Sequence, residues 1–142
     1  MKEALALAEE AAADGEIPVG AIIADSRGEV IGRGRNRRES GDPLGHAELI
    51  AIRQAADAIG DWRLEGTTMV VTLEPCAMCA AAIVHARVRR VVFGAWDPRA
   101  GAAGSIVDIF RLAGLNHRVD VFGGVLSEEC GALLQQFFAQ RR

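Results

Sequence analysis

The triplet His46-Ala47-Glu48 and, thirty residues further on, the run Pro75-Cys76-Ala77-Met78-Cys79 carry the residue types best suited to chemistry in this chain. One imidazole and two thiolates supply three ligands for a tetrahedral Zn²⁺ and leave a fourth position for water, the arrangement of a catalytic rather than a closed structural site. Glu48 adds a carboxylate beside that position. Such a set generates hydroxide near neutral pH and carries protons to a leaving group, which suits hydrolytic attack on an unsaturated carbon.

The spacing has a mechanical reading. Pro75 lacks an amide hydrogen and has a preset φ, so it predicts a helix opening at 76, with Cys76 and Cys79 three apart on one face. The positive end of that helix favours the thiolates that metal binding needs. His46 follows the turn-rich run Gly41-Asp42-Pro43-Leu44-Gly45 and precedes the apolar pattern Leu49, Ile50, Ile52, Ala55, Ala56, so a second helix starts at the same proposed metal. Residues two apart diverge on a helix, which lets His46 hold zinc while Glu48 stays free as a base. Taken alone, a Cys-x-x-Cys pair also fits a redox site, half of a structural zinc ribbon or two core residues. The candidates for a fourth ligand, His85, His117 and Cys130, stand at no ligand spacing, and Cys130 falls where a buried inert thiol is the default.

The elements that must position these residues alternate. A first helix is expected over 2–14, ended by Asp14-Gly15, then short strands over 19–24 and 30–34 forming an antiparallel hairpin around Asp25-Ser26-Arg27-Gly28. The His46 helix runs to about residue 59. The β-branched run 67–73 is a buried strand that delivers Glu74 and Pro75 to the helix over 76–86. Strands over 91–93 and 118–122 flank a short helix over 105–112, and a helix over 127–140 closes the chain. The fold class is therefore α/β. A helix between consecutive late strands predicts parallel pairing with right-handed crossovers, and both ligand helices begin at a common sheet edge, where open α/β folds bind ligands.

The 142 residues, half of them hydrophobic, fit one compact domain spanning 1–142. No signal segment or membrane span is apparent, and three cysteines, two claimed by zinc, agree with a reducing compartment, so the expected location is cytoplasmic. A net charge of -3 gives no global sign of nucleic-acid binding. Local charge does: Arg33, Arg35, Arg37 and Arg38 lead toward His46, Arg87, Arg89 and Arg90 follow the second ligand helix, and Arg141-Arg142 end the chain.

The joint zinc pattern resembles that of the zinc-dependent deaminases. Over nearly the whole chain the sequence resembles bacterial tRNA-specific adenosine deaminases, through Ile17-Pro18-Val19-Gly20-Ala21, Asn36, His46-Ala47-Glu48, Thr72-Leu73-Glu74-Pro75-Cys76 to Cys79, Val91-Val92-Phe93-Gly94, Gly101-Ala102-Ala103-Gly104-Ser105, Asn116-His117-Arg118-Val119 and Glu129-Cys130. The Gly-Ala-Ala-Gly-Ser and Asn-His-Arg-Val segments separate this group from deaminases of free bases and nucleosides. The resemblance implies a three-layer α/β/α cytidine-deaminase-like sandwich with a mixed five-stranded sheet. It implies one Zn²⁺ per subunit on His46, Cys76 and Cys79, and Glu48 as the proton shuttle. It further implies a homodimer that converts the wobble adenosine of an arginine tRNA anticodon stem-loop to inosine. Asn36 would hydrogen-bond the flipped base, Ala47 would help through its backbone amide, and Asp97 and Arg99 would meet the anticodon. Leu44-Gly45 departs from the usual Thr-Ala, the loop after Asn36 is about one residue short, and Arg99 and Ala100 replace a common Lys and Thr. The chain also stops soon after Arg141-Arg142, where some members carry a longer basic tail, a loss that would weaken RNA affinity. The alternatives are a deaminase of free guanine, cytosine or a nucleoside, and a structural-zinc RNA-binding module. A thioredoxin-like pair leaves His46 and Glu48 without a purpose.

Overall fold

Small residues let the helices of this chain lie close against its sheet. In the computed structural model, which describes residues 1–141, helix α1 (Lys2–Ala13) buries Ala4, Ala8 and Ala11, spaced to fall on one face. It rests on strand β1 (Gly20–Ala24), where a Cβ on Gly20 would reach within 2.7 Å of the Ala8 nitrogen. Strand β2 (Val30–Arg35) pairs antiparallel with β1 and presents Gly32 and Gly34 to Ala47, Ala51 and Ala55 of helix α2 (Ala47–Ile59). A Cβ on Gly34 would lie 2.8 Å from the Ala51 nitrogen, so backbone meets backbone and no side chain can intervene. This approach places the start of α2 beside the end of β2, and with it His46 beside Asn36.

The remaining elements are β3 (Thr68–Leu73), α3 (Ala77–His85), β4 (Arg90–Ala95), β5 (Asp120–Phe122) and α4 (Ser127–Ala139). The strand order is β2-β1-β3-β4-β5, with β1 antiparallel to β2 and β3, while β3, β4 and β5 run parallel. Helices α2 and α3 cover one face over the main core, which includes Ile23, Met69, Val71, Ile83, Val91 and Phe93. Helices α1 and α4 cover the other, giving three layers around the mixed five-stranded sheet expected from the sequence.

Three details differ from expectation. The segment 105–112 is not a helix: only Ile109–Arg111 makes a single 3₁₀ turn, after an isolated bridge between Ala103 and Asp108. Gly104 has φ 128°, outside helical space, and Ser105 directs its N–H and hydroxyl to Glu74 instead of into a helical ladder. The second ligand helix begins at Ala77, not at 76; Pro75 precedes its cap, and Cys76 is the cap residue with extended backbone (φ -74°, ψ 175°). His46 caps α2 in the same way (φ -82°, ψ 143°). Arg142, grouped in sequence with Arg141 as a basic chain end, lies outside the described residues. Among the described residues no helix is long and apolar enough to cross a membrane.

Candidate metal centre and active site

Two helix starts converge where β2 and β3 end. His46 and Cys76 are the cap residues of α2 and α3, and Cys79 lies in the first turn of α3, three positions after its cap. That relation, cap against third helical residue, replaces the one-face argument read from sequence, since a cap side chain folds back over the first turn. The His46 Nδ1 lies 3.6 Å from the Cys76 Sγ and 3.5 Å from the Cys79 Sγ, and the three ligand atoms all fall within 4.8 Å of one another. Tetrahedral zinc with bonds of about 2.0–2.1 Å to nitrogen and 2.3 Å to sulfur requires a nitrogen–sulfur separation of about 3.6 Å. The donor set therefore fits the ion. Among the described residues no further His, Cys, Asp or Glu joins this group, which leaves the fourth corner to a non-protein ligand.

Protonation follows the same crowding. The Cys76 thiol is drawn down to about 4, first because the Cys79 thiol donates to it and then because His46 stabilises its thiolate, against the opposing effect of burial. Cys79 is correspondingly pushed up by that shared hydrogen bond, by burial and by Glu48. His46 is raised through its contact with Cys76. Cys76 thus favours its thiolate, and a divalent cation would displace the protons that Cys79 and His46 tend to keep. Glu48, in the first turn of α2, is only 4% exposed, and burial pushes its carboxyl up to about 7.

Glu48, His46 and Cys76 open into a cleft of about 910 Å³. All four residues assigned to substrate by resemblance border it: Asn36, Ala47, Asp97 and Arg99. Asn36 is buried just past β2, its N–H bonded to the Val19 carbonyl. Ala47 opens α2, where a backbone N–H has no helical carbonyl to meet. Asp97 accepts from the N–H groups of Arg99 (3.0 Å) and Ala100 (3.2 Å) through Oδ1 alone, which shapes the turn and leaves Oδ2 for another partner. Arg99 and Arg38 are exposed on the rim and join no ion pair among the described residues. The rim loop between Asn36 and His46 is closed by the Arg37 N–H on the Gly45 carbonyl (2.7 Å), and a Cβ at Gly45 would press to 3.0 Å on Asp42. The turn thus has little room for a side chain at Gly45.

The sequence reading assigned no role to Glu74, which organises the opposite wall. It is 2% exposed. Its Oε1 accepts from the Asp97 N–H (2.9 Å) and the Ser105 hydroxyl, and its Oε2 from the N–H groups of Ala103 (2.9 Å) and Ser105 (3.1 Å). Burial would raise this carboxyl, but the Ser105 hydroxyl and the three amides outweigh it and hold the group below the usual glutamate range. Gly101 lies against the carboxylate, where a Cβ would collide with it. The available signal was an acid at the end of a buried strand and next to the ligand cap; its partners, more than twenty residues away, are visible only after folding. His85 is exposed, His117 bonds the Val88 carbonyl and Cys130 is buried under Gly94, so none of them reaches the metal.

Residues 1–95 match the cytidine and deoxycytidylate deaminase zinc-binding region. The chain belongs to that deaminase family. This deaminase is 47% identical over 143 residues to the tRNA-specific adenosine deaminase of Bacillus subtilis strain 168, covering 100% of this chain and 88% of the relative. Its fold superposes, at a TM-score of 0.90 and 44% identity, on a structure from work on A-to-I editing by tRNA:A34 deaminases at the wobble position, covering 94% of this chain and 97% of that one. It also resembles the guanine deaminase of Nitrosomonas europaea, at a TM-score of 0.81 and 25% identity, over 97% of this chain and 82% of the other. The matched region is a zinc-binding one, and His46, Cys76 and Cys79 could form its metal site.

Proposed function

We propose that this deaminase converts adenosine to inosine at the wobble position of a tRNA anticodon, with an arginine tRNA as its substrate. The observation that carries the reading is the three-donor centre with Glu48 beside it at the floor of one open cleft. Identity near one half with tRNA-specific relatives, against one quarter with the guanine deaminase, supports RNA over a free base. So does the volume of the cleft, which exceeds that of a single nucleobase and is bordered by Arg38, Arg99 and Arg141.

His46, Cys76 and Cys79 would hold Zn²⁺, which when bound would supply the Lewis acidity that lowers the pKa of a water to about 7. Glu48 takes one proton of that water at its carboxylate and delivers it to N1 of adenine. After oxygen adds at C6, Glu48 passes the second water proton to the exocyclic nitrogen, and the C6–N bond breaks to release ammonia and leave inosine. Asn36 orients the base by hydrogen bonding, with the free amide of Ala47 beside it. Asp97 and Arg99 meet neighbouring nucleotides. An anticodon loop suits such a site because its bases are already unpaired, so extrusion costs less than in a duplex.

Residues 1–142 act in this proposal as one catalytic domain in the cytoplasm, paired as a homodimer; the exposed apolar side chains of Ile106, Val107 and Leu112 support an interface. Incubation with tRNA transcripts and mapping of inosine by sequencing tests the reading. Inosine at the wobble position of arginine tRNA is expected. Ammonia from free guanine with unmodified tRNA would instead establish the base deaminase, and no ammonia from any substrate would favour the RNA-binding module.

A further inference from the structure

Trp96 lies between the last residue of β4 and Asp97, and it is 53% exposed. Its indole is nevertheless held in place. Phe93 meets it edge-on, with ring centroids 4.8 Å apart and planes at 89°. The backbone of Gly123 approaches both rings so closely that a Cβ there would stand 2.8 Å from the indole Cζ2, and one on Gly124 would lie 3.7 Å from Nε1. Large aromatic residues that stay exposed on a fixed support call for an explanation, because their burial elsewhere would be favourable.

The cleft supplies one. Trp96 borders the same cavity as Glu48, His46 and Cys76, as does Phe138 of α4, 45% exposed. Arg38, Arg99 and Arg141 border it too. Arg141 is fixed there by a hydrogen bond to the Gly15 carbonyl (3.0 Å) and by stacking over Phe137 (4.4 Å). Planar rings interleaved with cations are what single-stranded nucleic acid requires: the rings take base faces and the cations take phosphates. A free base filling the reaction pocket would leave this wall uncovered, whereas a loop with unpaired neighbours on the target covers it.

We propose that Trp96 is a stacking platform for the unpaired nucleobase adjacent to the reacting adenosine, with Phe138 as the second ring of the same subsite. This rests on the tRNA reading above. The rigid indole loses little freedom when a base lands on it, so its contribution goes into affinity for the loop rather than into the proton transfers at Glu48.

The test uses the zinc-loaded protein and an anticodon stem-loop, either intact or carrying an abasic nucleotide on the 5′ or the 3′ side of the target. Trp96→Ala should weaken binding of the intact loop by roughly 5- to 150-fold. It should have no further effect on the loop whose stacking base has been removed, and Trp96→Phe should restore most of the loss. In a Trp62→Phe background the emission comes from Trp96 alone, and the intact loop should quench it while the matching abasic loop should not. An equal loss on intact and abasic loops, or a change in oligomeric state with Trp96→Ala, would overturn the proposal by making Trp96 a structural or interface residue; so would no loss at all. Wild-type protein that forms no inosine in the intact loop would sink the tRNA reading itself, separately from any result at Trp96.

Discussion

Replacing Glu74 with glutamine isolates one charge in the wall of the active cleft. The carboxylate accepts four hydrogen bonds, two at each oxygen. A glutamine with its NH₂ toward Ala103 and Ser105 sets a donor against two amide donors. Flipped, it faces only the Asp97 N–H as a conflicting donor, because the Ser105 hydroxyl can rotate to accept. The flipped form costs less, and it loses one hydrogen bond to a charged acceptor, worth about 1.5–3 kcal/mol, while the other bonds weaken from charged to neutral. The cheaper desolvation of an amide offsets part of this, so Glu74→Gln should lower stability at pH 7 by about 2–4 kcal/mol. For a chain of this size that corresponds to a drop of roughly 4–16 °C in Tm. Because the folded carboxyl titrates below its unfolded value near 4.3, its contribution is complete above that pH and is lost as pH falls through the folded value. Urea denaturation of both proteins from pH 7 to pH 3 should therefore show a steady gap that closes in acid, the zinc loss common to both cancelling in the difference. The loosened wall should also raise KM for the stem-loop with zinc still bound. Equal stability at pH 7 would refute Glu74 as the anchor of this wall, and a gap that persists in acid would trace the loss to packing.

Glu48→Ala should keep one zinc per chain and lose about 10²- to 10⁴-fold in turnover, measured by metal analysis and inosine formation on the same preparation. Chelation of zinc should lower Tm and make the half-buried Cys76 reactive toward a thiol reagent while Cys79 and Cys130, both buried, stay silent. A count of three reactive thiols in the folded apoprotein would contradict that packing. Gly34→Ala should destabilise by at least about 1–3 kcal/mol, since the new methyl meets α2 backbone rather than a movable side chain; unchanged thermal unfolding would show that the helix can retreat from the sheet.

The grouping of His46, Cys76 and Cys79, the acid Glu48 on the same cleft and the order of elements were legible in the sequence because each has a local signature: a proline before Cys76, turn residues before His46, β-branched runs for strands and alanine periodicity for helices. Those signals act between near neighbours, and they placed most element ends within a residue or two. They failed over 105–112, where helical propensity yields to a carboxylate thirty residues earlier, and at Cys76, where capping rather than one helical face brings two sulfurs together. Tertiary structure alone decided that Gly32 and Gly34 draw α2 onto β2, so that Asn36 and His46 border one cleft. It alone made Glu74 the anchor of the Asp97 turn and left Trp96 fixed yet exposed. The reason is physical: hydrogen bonds to a buried charge and close contacts of backbone on backbone depend on which distant segments meet, and a chain read one neighbour at a time does not contain that distance.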